Sequence, residues 1–322
     1  MRLRLVPQET NWDFFKYRTV TFGFSVVLMV ASLVLWLTVG LNFGIDFRGG
    51  TTIRTQAEQP VDVGAYRDAI APLELGDVSI SEVFDPSFAS DQHVAMIRIQ
   101  AQDGEESASA EVISRVEAAL QAVDDSVRFT QVESVGPKVS GELIQTAVLA
   151  VAAALAAILF YIWLRFEWQF SVGAVAALFH DVLVTIGVFS LLQIRFDLAT
   201  IAALLTIIGY SINDTVVIFD RLRENLRKYK TKPLQDVMNL SVNETLSRTL
   251  MTSGTTLIAL IALLVLGGDV IRGFVFAITW GVVIGTYSSV YVAKNVVLWL
   301  GVKRDWSKPT DTTGNQFANI DA

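Results

Sequence analysis

Four ionisable side chains fall inside stretches apolar enough to cross a bilayer: His180 and Asp181 in ALFHDVL, Asp214 in GYSINDTVVIF, and Arg248 in LSRTLM. A central Asp costs about 2.5–3.5 kcal/mol even on the lenient insertion scale, so such groups face a bundle interior and find partners. Asp214 lies seven residues before Arg221, which marks the aqueous edge, and so sits about 10 Å inside it. Ser241 and Glu244 form an S-x-x-E capping box. A helix starting at Ser241 carries Arg248 to the same depth, about 10 Å. Asp214 and Arg248 are therefore expected to pair. A nearby cation favours the carboxylate and burial favours the acid. A carboxylate balanced between the two, beside a movable Arg, can take up and release a proton. One charge crossing the membrane potential carries about 2.3 kcal/mol per 100 mV, so the chemistry has a source of energy. The plainer reading is a fixed salt bridge between two helices. Asn213 is either part of the same path or interhelical glue. His180 and Asp181, being adjacent, are expected to point to different faces, and are secondary proton-path candidates.

Other chemistries are excluded or poorly matched. The chain has no cysteine and two histidines, so it has no disulfide, no thiol site and too few imidazoles for most zinc enzymes. Two intramembrane aspartates raise an aspartyl protease, whose dyad shares a proton. The flanks here are HD and ND, whereas such proteases carry YD and GxGD. No H-E-x-x-H, G-x-S-x-G or P-loop occurs. No catalytic residue, metal site or cofactor is expected, only protons as coupling ion. The pI near 5.0 argues against nucleic acid as a partner.

The elements that must position these residues are membrane spans. Of 322 residues 52% are apolar and only 18% charged, below the usual share of about 25%. Spans are expected at 19–41, 144–164, 170–192, 198–219, 249–267 and 273–293. The first is too long for a signal-peptide core and lacks a cleavage site after it. Arg2, Arg4, Lys16, Arg18, Arg165, the seven Lys and Arg from 221 to 248, and four from Lys294 onward fall on one side. Only Arg195 and Arg272 occupy the short loops opposite. The first side is expected to be cytoplasmic, with both termini there. Trp163, Trp168 and Trp299 fall near the expected interfaces. G-x-x-x-G at Gly281 and Gly285 permits close helix approach, within the chain or to a partner.

The division is 1–41 for the N-terminus and first span, 42–143 for an outside domain, 144–301 for the other spans, and 302–322 for a cytoplasmic tail. The outside stretch alternates as strand at 51–56, helix at 61–73, strands at 78–84 and 93–100, helix at 107–123 and strand at 127–135. That order is βαββαβ, a ferredoxin-like α+β unit. It is strongly acidic, net −11 over residues 42–142. Just before it, Gly44, Gly49 and Gly50 permit tight turns. Asp46 and Arg48 can anchor the strand start to the bilayer edge. This stretch reads as a joint between span and domain, or as an ordinary linker. Between spans four and five, DRLRENLRKYK is expected to continue the fourth helix past the membrane surface until TKP (231–233) breaks it. PLQDVMNL is then expected as a separate amphipathic helix at the interface.

Several stretches carry a resemblance: FGIDFRGGT (43–51), VGPKVSGEL (135–143), ALFHDV (177–182), GYSINDTVVIFDRLRENLRK (209–228) and TLSRTLMTSGTT (245–256). In this order, on a six-helix frame, they resemble the SecD/SecF family of protein-export membrane subunits, within the resistance-nodulation-division superfamily. The resemblance covers nearly the whole chain, less so after Gly301. It implies a bacterial inner-membrane protein with a periplasmic domain, and a SecD-like partner supplying a second six-helix half. It also implies work beside the SecYEG channel on emerging preprotein, driven by the proton motive force. The family's proton-linked aspartate and arginine map onto Asp214 and Arg248. The alternatives are a small-molecule or lipid transporter of the same superfamily, or a passive scaffold of the translocon.

Overall fold

A computed structural model of the chain describes residues 10–83, 85, 88–89, 92–101 and 108–302. The expectations for Arg2 and Arg4, for Phe84, Pro86 and Ser87, for the helix start at Ser107 and for residues 303–322 lie outside them. Among the described residues six helices are long and apolar enough to cross a membrane. They are α1 (Arg18–Thr38), α5 (Pro137–Arg165), α6 (Trp168–Leu192), α7 (Leu198–Lys228), α8 (Leu234–Leu266) and a last one from α9 (Asp269–Ser288) into α10 (Lys294–Leu300). A five-residue π-helical segment, Ser289–Ala293, joins α9 to α10. The α+β portion, between α1 and α5, comprises β1 (Asn42–Phe43), α2 (Ile45–Arg48), β2 (Gly50–Ala57), α3 (Val63–Ile70), β3 (Val78–Val83), β4 (His93–Ile99), α4 (Ala110–Gln121) and β5 (Arg128–Val135). One more short strand, β6 (Arg195–Phe196), lies between α6 and α7.

The α+β portion has the order β2-α3-β3-β4-α4-β5, with strands arranged β3-β4-β2-β5, every neighbouring pair antiparallel. Alternation sorts the faces. Ile53, Ile80, Ala95, Ile97 and Ile99 turn inward and pack with Tyr66 and Ile70 of α3 and Val116 and Leu120 of α4. Asp62 and Ser109 cap the two helices, accepting from the Ala65 and Val112 N–H groups at 3.0 and 3.2 Å. The opposite sheet face, with Met96 and Arg98, turns toward the membrane helices. There β1 pairs in parallel with β6, and Arg98 donates to the Phe43 carbonyl at 3.2 Å.

Two apolar clusters organise the helices. One, at the end that holds the chain's first described residues, gathers Phe14, Phe15, Phe166, Phe170, Phe219, Leu222, Met238 and Val297. The other, near the α+β portion, gathers Phe189, Phe196, Ala203, Ile207, Ala277 and Ile278. Small residues set the crossings. A Cβ on Gly187 would strike Ser32 of α1, and one on Gly281 would strike Ile207 of α7. Gly285 packs on Ser211, so G-x-x-x-G serves a contact within this chain.

The structure corrects the expected course between α7 and α8. α7 ends at Lys228, with Tyr229 as its C-cap, ahead of TKP, and Pro233 is the N-cap of α8. PLQDVMNL is no separate interfacial helix. It forms the first turns of α8, a 33-residue helix. Ser241 is therefore no N-cap. Its Oγ donates to the Val237 carbonyl at 2.8 Å, one turn back in an unbroken ladder. Glu244 accepts instead from Arg221 Nε at 2.7 Å and Asn225 Nδ2 at 2.6 Å, clasping α8 to α7. The long helices also overrun their expected apolar limits. α5 begins at Pro137 and α10 runs to Leu300, and α7 continues to Lys228 as expected of DRLRENLRKYK.

Candidate functional site

Asp214 sits midway along α7, with 3% of its surface exposed, on the face packed against α8 and α9. Its hydrogen-bond partner is Ser253 Oγ of α8, at 3.5 Å. That is beyond the usual 2.5–3.0 Å of an O–H···O bond, so the carboxylate is thinly served. Ser253 in turn shares a 2.8 Å hydrogen bond with Thr286 of α9. Asn213, the preceding residue, is exposed and turns away from this cluster.

Arg248 is exposed on α8 and forms no ion pair within 4 Å among the described residues. Its charge still lies within electrostatic reach of Asp214. The offset is along the helix. The α8 residue opposite Asp214 is Ser253, five positions and about 7 Å beyond Arg248. The shared depth rested on a helix starting at Ser241, and α8 starts earlier.

Asp181 is differently placed. It is 1% exposed and fully engaged. Its Oδ2 accepts from Ser211 Oγ of α7 at 2.6 Å and from Ser288 Oγ of α9 at 2.8 Å. Its Oδ1 lies 2.9 Å from His180 Nδ1. The expectation that His180 and Asp181 point to different faces is corrected: the short carboxylate and the ring bend toward each other between the helices. The other ring nitrogen, His180 Nε2, is buried without a partner, and the ring lies 6.0 Å from that of Tyr287. Tyr287 Oη donates to the Thr21 carbonyl of α1 at 2.8 Å. Thr215 and Ser289 share a 2.8 Å bond between α7 and the π segment. Sequence reasoning passed over Ser211, Thr215, Ser253, Ser288 and Ser289. The signal was there: Ser211 and Thr215 lie three before and one after Asp214, and hydroxyls in an apolar helix mark the face that meets polar partners.

The glycine-rich stretch forms a joint between the α+β portion and the helix that carries Asp214. Gly44 caps the short helix α2, and its N–H donates to the Phe196 carbonyl at 2.8 Å. Asp46 Oδ2 accepts from the Leu198 N–H at 3.0 Å, at the first turn of α7. Asp197 completes that turn with a capping box to Thr200. Two carboxylates thus meet the positive end of one helix. Gly49 and Gly50 have φ of +71° and +117°, and a Cβ on Gly50 would strike the Ile99 carbonyl, so β2 can enter the sheet here only through glycine. Arg48 is exposed.

Comparison with known proteins gives this geometry a family. The model described as "Protein export membrane protein SecD/SecF, C-terminal" matches residues 115–303, and that described as "SecD/SecF GG Motif" matches residues 34–61. "Protein translocase subunit SecF" of Cereibacter sphaeroides is 72% identical over 100% of this chain and 99% of its own length. The subunit of the same name from Vibrio alginolyticus is 41% identical over 95% of each chain. Among solved structures, the crystal structure of SecDF from Thermus thermophilus, a translocon-associated membrane protein, superposes with a TM-score of 0.82 at 35% identity over 93% of this chain. This chain spans 40% of that SecDF polypeptide. SecDF in the "Super-membrane-facing form" superposes less closely, at 0.67, with 36% identity. A match covering the chain from end to end, with the joint and the helix bundle each matched by its own family model, makes this chain a member of the SecD/SecF family of protein-export membrane proteins.

Proposed function

We propose that this accessory subunit of the Sec protein translocase couples the proton motive force to preprotein export, with Asp214 as its proton-binding group. One observation carries the reading. Of two buried intramembrane carboxylates, Asp181 has three close partners, whereas Asp214 has one long contact. A carboxylate whose hydrogen bonds are already made is structural. One left thinly served within the membrane is free to exchange a proton. Arg248, exposed one and a half turns along α8, is the cation that swings toward Asp214 when it is ionised. Asn213, on the outer face of α7, meets the partner half. His180 and Asp181 hold α6, α7 and α9 in register, and His180 Nε2 can pass a proton only if water reaches it.

The rest of the assembly follows from the family. A SecD-like protein supplies the second six-helix half, consistent with this chain matching only part of the SecDF polypeptide. The pair works beside SecYEG in the bacterial inner membrane, with both termini cytoplasmic. The α+β portion, whose antiparallel β3-β4-β2-β5 order fits a ferredoxin-like fold, is periplasmic and meets the preprotein. No covalent chemistry, cofactor or nucleic acid takes part; protons are the coupling ion. The joint at Gly44, Asp46, Gly49 and Gly50 carries motion between that portion and α7. In cells depleted of the native subunit, Asp214→Asn is expected to leave preprotein export at the depleted level while the protein still inserts. Full restoration of export by this variant would overturn the role of Asp214.

A further inference from the structure

A cleft of about 530 Å³ opens between the sheet and the membrane helices. One wall is the outward sheet face, with Ser79, Ser81 and Arg98. The other is the loop at Arg195 and the adjoining ends of α8 and α9, with Leu264, Val270 and Phe274. The sheet wall is mainly polar and carries Arg98, while the opposite wall sets apolar groups beside Arg195, Asp197 and Arg272, at the level where the membrane helices leave the bilayer.

Arg98 is the odd member. Its Nη1 is held by the Phe43 carbonyl at 3.2 Å and Asn42 Oδ1 at 3.5 Å, both neutral acceptors. Among the described residues its Nε is buried without a hydrogen-bond partner, and no carboxylate pairs with it. Burial, then the nearby charges of Arg195 and Arg48, draw the guanidinium below its ordinary value, and only Asp197 opposes them. Arg195 is partly occupied, 3.4 Å from Asp197. A guanidinium in such a place is incomplete until an anion meets its planar fork. An amphiphile with an anionic head and apolar tail suits both walls.

We propose that this cleft binds a phosphate-bearing anion, with Arg98 and Arg195 on the phosphate and the Leu264–Phe274 wall on attached acyl chains. The apolar wall favours a phospholipid of the adjacent leaflet over a free anion. Bound there, the headgroup bridges the sheet to the ends of α8 and α9 and ties the α+β portion to the membrane surface.

The test is native mass spectrometry of the full-length protein in detergent, titrated with phosphatidylglycerol and, separately, with inorganic phosphate. The wild type is expected to retain one phosphatidylglycerol at concentrations where Arg98→Gln and Arg195→Gln each bind about tenfold more weakly, the effect of one charge-assisted hydrogen bond. Glu82→Gln, which removes an exposed carboxylate from the cleft, is expected to bind several-fold more tightly, and it keeps the test open should an arginine variant misfold. Phosphatidylglycerol binding that inorganic phosphate does not displace identifies a lipid site. Inorganic phosphate binding with the same losses identifies a site for a soluble anion of the same chemistry. Equal binding by wild type and all three variants would overturn the proposal.

Discussion

At the level of single residues, the two buried aspartates separate by their partners, and each separation can be measured. Removing the Ser211 or Ser288 hydroxyl takes one donor from Asp181. Ser288→Ala is expected to cost about 0.6–1.7 kcal/mol, the range of interhelical hydrogen bonds in membranes, read by thermal or denaturant unfolding in detergent. Ser253→Ala removes a 3.5 Å contact to Asp214 and a 2.8 Å bond to Thr286, whose hydroxyl keeps the Val282 carbonyl, and is expected to cost less than Ser288→Ala. The reverse ranking would mean that the Asp214–Ser253–Thr286 cluster, and not Asp181, holds the helices together. The presence of both aspartates inside spans was legible from the sequence, because a carboxylate in an apolar run is conspicuous. Which of the two is saturated was not. It depends on serines from α7 and α9 arriving at one point, and no local pattern records which serine meets which acid.

Elements behaved differently. Six spans could be read from hydropathy, since runs of about 20 apolar residues have few other uses. Their ends were read unevenly: DRLRENLRKYK was expected to carry the fourth helix past the membrane surface and does so to Lys228, whereas the starts of α5 at Pro137 and α8 at Leu234 carry no apolar signal. The S-x-x-E at Ser241 was a false start for a physical reason. Capping boxes are local, and a helix already begun at Leu234 leaves Ser241 no orphan N–H to cap. Arg221 and Asn225 on α7, placed to receive Glu244, were the non-local clue. The packing makes a prediction of its own. Gly187→Val drives a side chain into Ser32 across the α1–α6 crossing, and is expected to destabilise by about 1–3 kcal/mol. Gly209→Ala, with open space around it, is expected to stay within about 0.5 kcal/mol of the wild type. Melting both variants in the same detergent compares them directly.

For the whole molecule, the question is how the α+β portion and the membrane helices act on one another. Asp46 answers part of it: a side chain just ahead of the sheet completes the first turn of the helix that bears Asp214. Asp46→Ala is expected to keep the fold while loosening that turn by about 0.5–2 kcal/mol, seen as faster amide exchange at Leu198. Unchanged exchange there would mean that Asp197 caps the helix alone and the joint does not grip it. Tight turns in the glycine stretch were legible from its residue types, but a joint and an ordinary linker were equally open, and the contact with α7 came only with the third dimension. Asn239 and Asn243 of α8 hold the backbone of Trp12 and Phe14, and Lys294 rests over the ring of Phe15, 4.1 Å from its centre, while donating to the Phe14 carbonyl. The two ends of that last bond are 280 residues apart. At about 5–20 residues per second, the ribosome takes roughly 15–60 s to travel between them. The first helix thus enters the bilayer long before its mooring has been translated. Until α10 emerges, whatever inserts the chain must shelter the Phe14–Phe15 segment, and a product truncated before Lys294 would leave those rings as a mark for proteolysis.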